Sequence, residues 1–175
     1  MLVLNIPTWQ RGLDVGCGTG ALCATIVDQC SPFSLVGVEP SAEFLEVAKE
    51  NLGGRASFHI GSASLIPLVD DSIDALVSGL VLNFVPDPVV ALSEMSRVAV
   101  LGATIGAYVW DYAGKMEFMR FFWDSAVDLD PEAAKLDEGR RFPLCHPEAL
   151  AGPFTRAVWR AGAVASIAIH HPVAH

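Results

Sequence analysis

Three glycines at alternate positions, Gly16, Gly18 and Gly20, stand just after Asp14 in the stretch LDVGCGTG at 13–20. Without a Cβ, such residues let the chain turn sharply from strand to helix and let a ligand touch the backbone. A second acid, Glu39, ends the run SLVGVE at 34–39. It lies about twenty residues past the loop, where a carboxylate can accept hydrogen bonds from ribose hydroxyls. Glycine loop and distal acid together describe a nucleotide site.

Two nucleotides suit this spacing. Gly16, Gly18 and Ala21 satisfy the dinucleotide pattern GxGxx(G/A). A dinucleotide, however, brings a pyrophosphate to the helix N-terminus, and the Asp14 carboxylate would repel it. S-adenosylmethionine brings an ammonium, a sulfonium and no phosphate. Asp14 can then attract the amino end of the ligand while the loop amides meet its carboxylate.

The elements that must position these residues follow from hydrophobic period and cap chemistry. Strands are expected over 12–15, 34–39, 55–60, 73–78 and 103–110, the last nearly all apolar, as for a central strand buried on both faces. Helices alternate with them. One runs from the loop to Cys30 with Leu22, Cys23, Ile26, Val27 and Cys30 on one face. The next starts at an Ser41 N-cap, buries Phe44, Leu45, Ala48 and Leu52, and stops at Gly53-Gly54. A third starts at Asp87-Pro88 and buries Val89, Leu92, Met95 and Val98 or Ala99. The pattern implies right-handed crossovers and an α/β, doubly wound, mostly parallel sheet of Rossmann-like type in three layers. Beyond Trp110 come an aromatic helix over 115–129, a charged connector to Arg141, a helix over 147–160 that Gly152-Pro153 should break or kink, and a last strand near 164–169.

Composition narrows the classes. The 175 residues suit one domain, 52% hydrophobic and only 18% charged, so much of the chain should be buried. A net charge of −9 argues against nucleic acid as a partner. No run reaches the roughly 18 apolar residues of a membrane span, and 1–10 does not read as a signal peptide. Cys17, Cys23, Cys30 and Cys145 form no CxxC pair and read as reduced thiols of a cytoplasmic protein, with Cys23 and Cys30 packing as small hydrophobes. His170, His171 and His175 have no acidic or cysteine companion and read as a tail, not a metal site.

At this point LDVGCGTG, VGVEPS at 36–41 and LIPLVDDSIDALVSGLVLNFVPDP at 65–88 resemble successive motifs of class I S-adenosylmethionine-dependent methyltransferases. The subgroup most resembled is the small enzymes similar to ubiquinone/menaquinone C-methyltransferases. The resemblance implies that Asp14, Gly16, Cys17, Gly18 and Gly20 hold the methionine part and Glu39 the ribose. Pro40 and Ser41 would edge the adenine pocket, with Gly61, Ser62 and Ala63 beside the adenine amino group. Ser62 stands where the family has an aspartate and brings no charge. Ser78 and Gly79 would lie beside the sulfonium methyl, and the family varies with substrate at Leu82, Asn83 and Phe84. Set against that family, a sheet without its last strand and without its N-terminal lid helices is expected; 103–110 would then pair directly with the strand near 164–169 or present an open edge, and self-association is expected.

Methyl transfer from a sulfonium is an in-line displacement with a neutral leaving group, so positioning matters more than acid–base work. Asn83, Asp111 and Tyr112 are candidate bases at strand ends, each also readable as a structural hydrogen-bonding group. Met116, Phe118, Met119, Phe121, Phe122 and Trp123 read either as core or as the pocket of a small apolar or aromatic acceptor. Two other functions stay open: a nicotinamide oxidoreductase, which lacks a Tyr-x-x-x-Lys relay here, and a non-catalytic S-adenosylmethionine binder.

Overall fold

In the computed structural model, which describes residues 10–156, local sequence accounts for most of the elements. β1 (Arg11–Val15) runs into the glycine loop and α1 (Ala21–Cys30), then β2 (Ser34–Glu39) and α2 (Ala42–Leu52). β3 (Ser57–Ile60), β4 (Ile73–Gly79), α3 (Pro88–Val98) and β5 (Ala99–Tyr108) follow. All pairings are parallel, in the order β3-β2-β1-β4-β5. The order reverses between β1 and β4, and in such sheets the crevice beyond the carboxyl ends of those strands receives the ligand.

Alternation along β2 separates two cores. Leu35 joins Cys17, Cys23, Ile26, Leu45, Leu52 and Val77 under α1 and α2. Val38 joins Leu13, Val15, Leu76 and the α3 residues Leu92, Met95 and Val98. One buried layer on each side gives the three-layer arrangement.

The caps fall where their chemistry predicts. The Ser41 hydroxyl accepts from the Phe44 amide at 3.2 Å, and Gly53 ends α2 in the left-handed region at φ 54°. Asp87 accepts from the amides of Val89 and Val90 at 2.9 and 3.2 Å, with Pro88 in the first turn. Asp87→Ala is expected to lower stability by ~1 kcal/mol in urea unfolding, since those two amides then lose their cap.

Several expectations need correction. Phe44 is exposed, because Leu45, Ala48 and Leu52 complete the buried stripe without it. β3 starts at Ser57, since Arg55 is committed to an ion pair with Asp28 at 2.7 Å and a bond to the Leu52 carbonyl. β5 starts at Ala99, straight from α3, and is half-exposed along most of its length. It is the outermost strand of the described sheet, not a strand buried on both faces. Its register jumps from Ile73↔Ala99 to Ala75↔Thr104 around Gly102 at φ 87°, and the extra residues carry Leu101 outward to 96% exposure. α4 (Glu117–Leu129) is as expected, but the connector after it is ordered into short turns and α5 (Glu138–Arg141). α6 (Pro147–Arg156) continues through Pro153. The expected strand near 164–169, the three C-terminal histidines, the helix beyond 156, and residues 1–9 lie outside the described residues.

Candidate functional site

Asp14 sits next to last in β1, on the sheet face that α1 covers. Cys23, one turn into α1, donates its thiol to Asp14 Oδ2 at 3.2 Å. Asp14 is 1% exposed, and its Oδ1 is buried with no hydrogen-bond partner. Burial pushes its carboxyl up to about 7; the bond from Cys23 opposes that shift and the charge of Glu39 adds to it. A buried acid with an unanswered oxygen is a receptor for a cationic group.

The glycine loop is wired internally. The amides of Gly16 and Cys17 both donate to the Val38 carbonyl, at 2.7 and 3.1 Å, and Gly20 N–H donates to Cys17 O at 2.9 Å. Gly18 N–H donates to Glu39 Oε2 at 3.2 Å. These four amides are therefore spent within the protein. The donors left for a ligand carboxylate are the Thr19 amide and those in the first turn of α1, which has no side-chain cap. All three loop glycines have positive φ: 75° at Gly16, 53° at Gly18 and 85° at Gly20. A Cβ at Gly20 would meet Leu52 Cδ1 at 2.7 Å, and one at Gly16 would strike Val81, whereas one at Gly18 would meet nothing within 4 Å. The Cys17 side chain turns into the core, so only its backbone faces the loop.

Glu39 ends β2, 8% exposed, and its Oε1 accepts from Ser41 N–H at 3.1 Å. With one protein donor on each oxygen, further lone pairs remain for two hydroxyls. Pro40 is exposed. Ser41 spends its hydroxyl on the cap and on Glu43, at 2.9 Å. Gly61 N–H donates to the Glu39 carbonyl at 3.2 Å, which fixes Gly61, Ser62 and Ala63 at the same sheet end. Ser62 bridges by its backbone to Leu65, and Ala63 is buried. Ser78 is wholly buried and donates to the Val15 carbonyl at 3.0 Å, so its hydroxyl pins β4 to β1 and is not directed at a ligand. Gly79 pairs with Tyr108, whose ring lies over it.

The other candidates divide. Asn83 stands in the turn Leu82–Phe84, with a buried Oδ1 that has no hydrogen-bond partner. Tyr112 packs against Phe142 at 5.8 Å, and Phe142 meets Phe84 edge-on at 5.1 Å. Asp111 instead receives the Gly114 amide at 2.8 Å, as a turn residue does. In α4, Phe118, Phe121 and Phe122 are 58–70% exposed, so they are not core; Trp123 alone is buried, its indole bonded to Glu138. Sequence reasoning missed three features: the Tyr108 ring, Phe142, and the buried ion pair of Asp137 with Arg120, which holds the Asp137 carboxyl below its ordinary range. All depend on distant parts of the chain. Among the described residues no group of three or more His, Cys, Asp or Glu could hold a metal ion, and no helix is long and apolar enough to cross a membrane.

A sequence profile described as a methyltransferase domain matches residues 13–105. The chain is 34% identical over 100 residues to a demethylmenaquinone methyltransferase of Roseiflexus castenholzii, covering 57% of this chain and 42% of that one. It is also 34% identical over 106 residues to an uncharacterized methyltransferase of Schizosaccharomyces pombe, covering 55% and 38%. The chain thus spans about two fifths of the length of these relatives. Among solved structures, a SAM dependent methyltransferase from Aquifex aeolicus superposes with a TM-score of 0.59 at 18% identity, over 65% of this chain and 63% of that one. That likeness is one of fold.

Proposed function

The chain belongs to the methyltransferase-domain family, class I and S-adenosylmethionine-dependent, and on that premise we propose that it methylates a small apolar or aromatic metabolite. The observation that carries this reading is the unpartnered, buried Asp14 Oδ1 beside the glycine loop. It suits an ammonium and is hostile to a pyrophosphate, which favours the sulfonium ligand over a dinucleotide.

The residues present fit that cofactor. S-adenosylmethionine supplies, when bound, an activated methyl whose departure leaves a neutral thioether. Asp14 would hold the amino end and Glu39 the two ribose hydroxyls. Gly61, Ser62 and Ala63 would edge the adenine, with Ser62 offering a hydroxyl and no charge. The aromatic cluster of Phe84, Tyr112 and Phe142 supports an apolar or aromatic acceptor. Asn83 Oδ1, lacking a partner, would orient an acceptor hydroxyl or amine by accepting its proton in a hydrogen bond.

Calorimetric titration with S-adenosylhomocysteine and with NAD tests the cofactor. Binding of the first alone supports the reading, and binding of NAD alone overturns it. Transfer of a labelled methyl to a panel of small phenols, quinols and aliphatic controls tests the acceptor class. Glu39→Gln is expected to weaken S-adenosylhomocysteine by ~1 kcal/mol or more, since a neutral amide replaces a charged acceptor. It also leaves one side-chain oxygen where Glu39 uses two, so the Gly18 and Ser41 amides can no longer both be answered. Unchanged affinity in a folded variant would take the ribose away from Glu39.

A further inference from the structure

Tyr108 is the last residue of β5 and pairs with Gly79, the last of β4. Its phenol end occupies the space above Gly79: a Cβ there would lie 2.6 Å from Tyr108 Cζ and closer still to the hydroxyl oxygen. The ring can rest on β4 only because residue 79 has no side chain. It remains 43% exposed, so it is not core. Burial and the nearby negative charge of Asp14 both push its hydroxyl above the ordinary tyrosine value, so the ring stays a neutral phenol at any working pH. An electron-rich, partly exposed aromatic ring therefore stands over the carboxyl end of β4, at the end of the sheet where the crevice beyond β1 and β4 receives a ligand.

We propose that Tyr108 discriminates the sulfonium of S-adenosylmethionine from the neutral thioether of S-adenosylhomocysteine, through attraction of the positive charge to its ring. This rests on the cofactor reading above. A cation beside an aromatic face gains attraction that a neutral thioether does not. The consequence is release of spent cofactor: once the charge is gone, Tyr108 no longer favours retention.

The test compares calorimetric affinities for S-adenosylmethionine and S-adenosylhomocysteine in the wild type, Tyr108→Phe and Tyr108→Leu, with thermal unfolding as the check on folding. Relative preference for the sulfonium over the thioether should be kept in Phe and should fall ~3- to 30-fold in Leu, with little change in S-adenosylhomocysteine affinity. Gly79→Ala is the independent variant, since its methyl group must displace the ring, and it should lose the preference too. A relative preference unchanged in Leu overturns the proposal. So does a parallel loss for both ligands in Leu, which marks a structural role, or loss of preference in Phe, which moves the effect to the hydroxyl. A wild type that binds neither ligand refutes the cofactor reading instead.

Discussion

Affinity for S-adenosylhomocysteine is expected to climb by ~tenfold per pH unit between about pH 5 and 7 and then to level off. The acid limb belongs to Asp14, which must be ionised to hold an ammonium and whose carboxyl is pushed up to about 7 by burial. Asp14→Asn should bind weakly and lose the acid limb. Cys23→Ala should move that limb to higher pH, because the thiol bond is the interaction that holds the Asp14 carboxyl down. Stability carries the opposite sign. The folded pKa lies above the unfolded value, so the folded protein retains a proton between about pH 4 and 7 that the unfolded chain releases. The Asp14 contribution is complete below pH 4 and is lost as pH rises to about 7, a decline on the order of 4 kcal/mol. Denaturant midpoints across this range, with Asp14→Asn as the flat reference, measure it. A wild-type affinity that does not change from pH 5.5 to 7 would remove the ammonium from Asp14.

Gly18→Val is expected to abolish cofactor binding while leaving the protein folded. At φ 53° a branched residue is strained by roughly 1–2 kcal/mol, but its Cβ would meet no protein atom within 4 Å. That distinguishes it from Gly16 and Gly20, where a side chain would drive into Val81 or Leu52 and confound binding with misfolding. Gly53→Val is the matched control. It has the same backbone conformation, φ 54°, and the same open surroundings, at the far end of α2. Both variants should melt lower by similar amounts, and only Gly18→Val should lose S-adenosylhomocysteine in calorimetry. Retained binding in a folded Gly18→Val would show that the ligand does not approach this loop.

The features legible in the sequence are local ones. A serine or aspartate ahead of a helical period names its own cap, as at Ser41 and Asp87. An apolar run closed by Glu39 reveals both a strand and the end at which its acid emerges. The existence of β1, β2, β3 and β4 therefore followed from periodicity, though not their order in the sheet. What did not follow required knowledge of register. The apolarity of β5 suggested burial on both faces, but the three-residue slip around Gly102 turns part of it outward. Ser78 looked like a ligand contact until its neighbour Val15 was known to accept its hydroxyl. Tyr108 was invisible for the same reason: nothing in its vicinity along the chain shows that it lies on Gly79. The aromatic density of α4 predicts an amphipathic helix, but the period cannot state which side meets protein, and Phe118, Phe121 and Phe122 turn out to face outward.

The internal wiring of the glycine loop has a kinetic consequence. Because Gly16, Cys17, Gly18 and Gly20 already donate to protein acceptors, the loop holds its shape before a ligand arrives, and little ordering entropy remains to be lost on association. Amide hydrogen exchange should show this as slow exchange at these positions in the free protein, with little further slowing when S-adenosylhomocysteine is added. Gly18 is the exception. Its acceptor, Glu39, would be shared with the ribose, so its exchange rate alone among the four should respond to ligand, and it reports directly on whether the ribose engages that carboxylate.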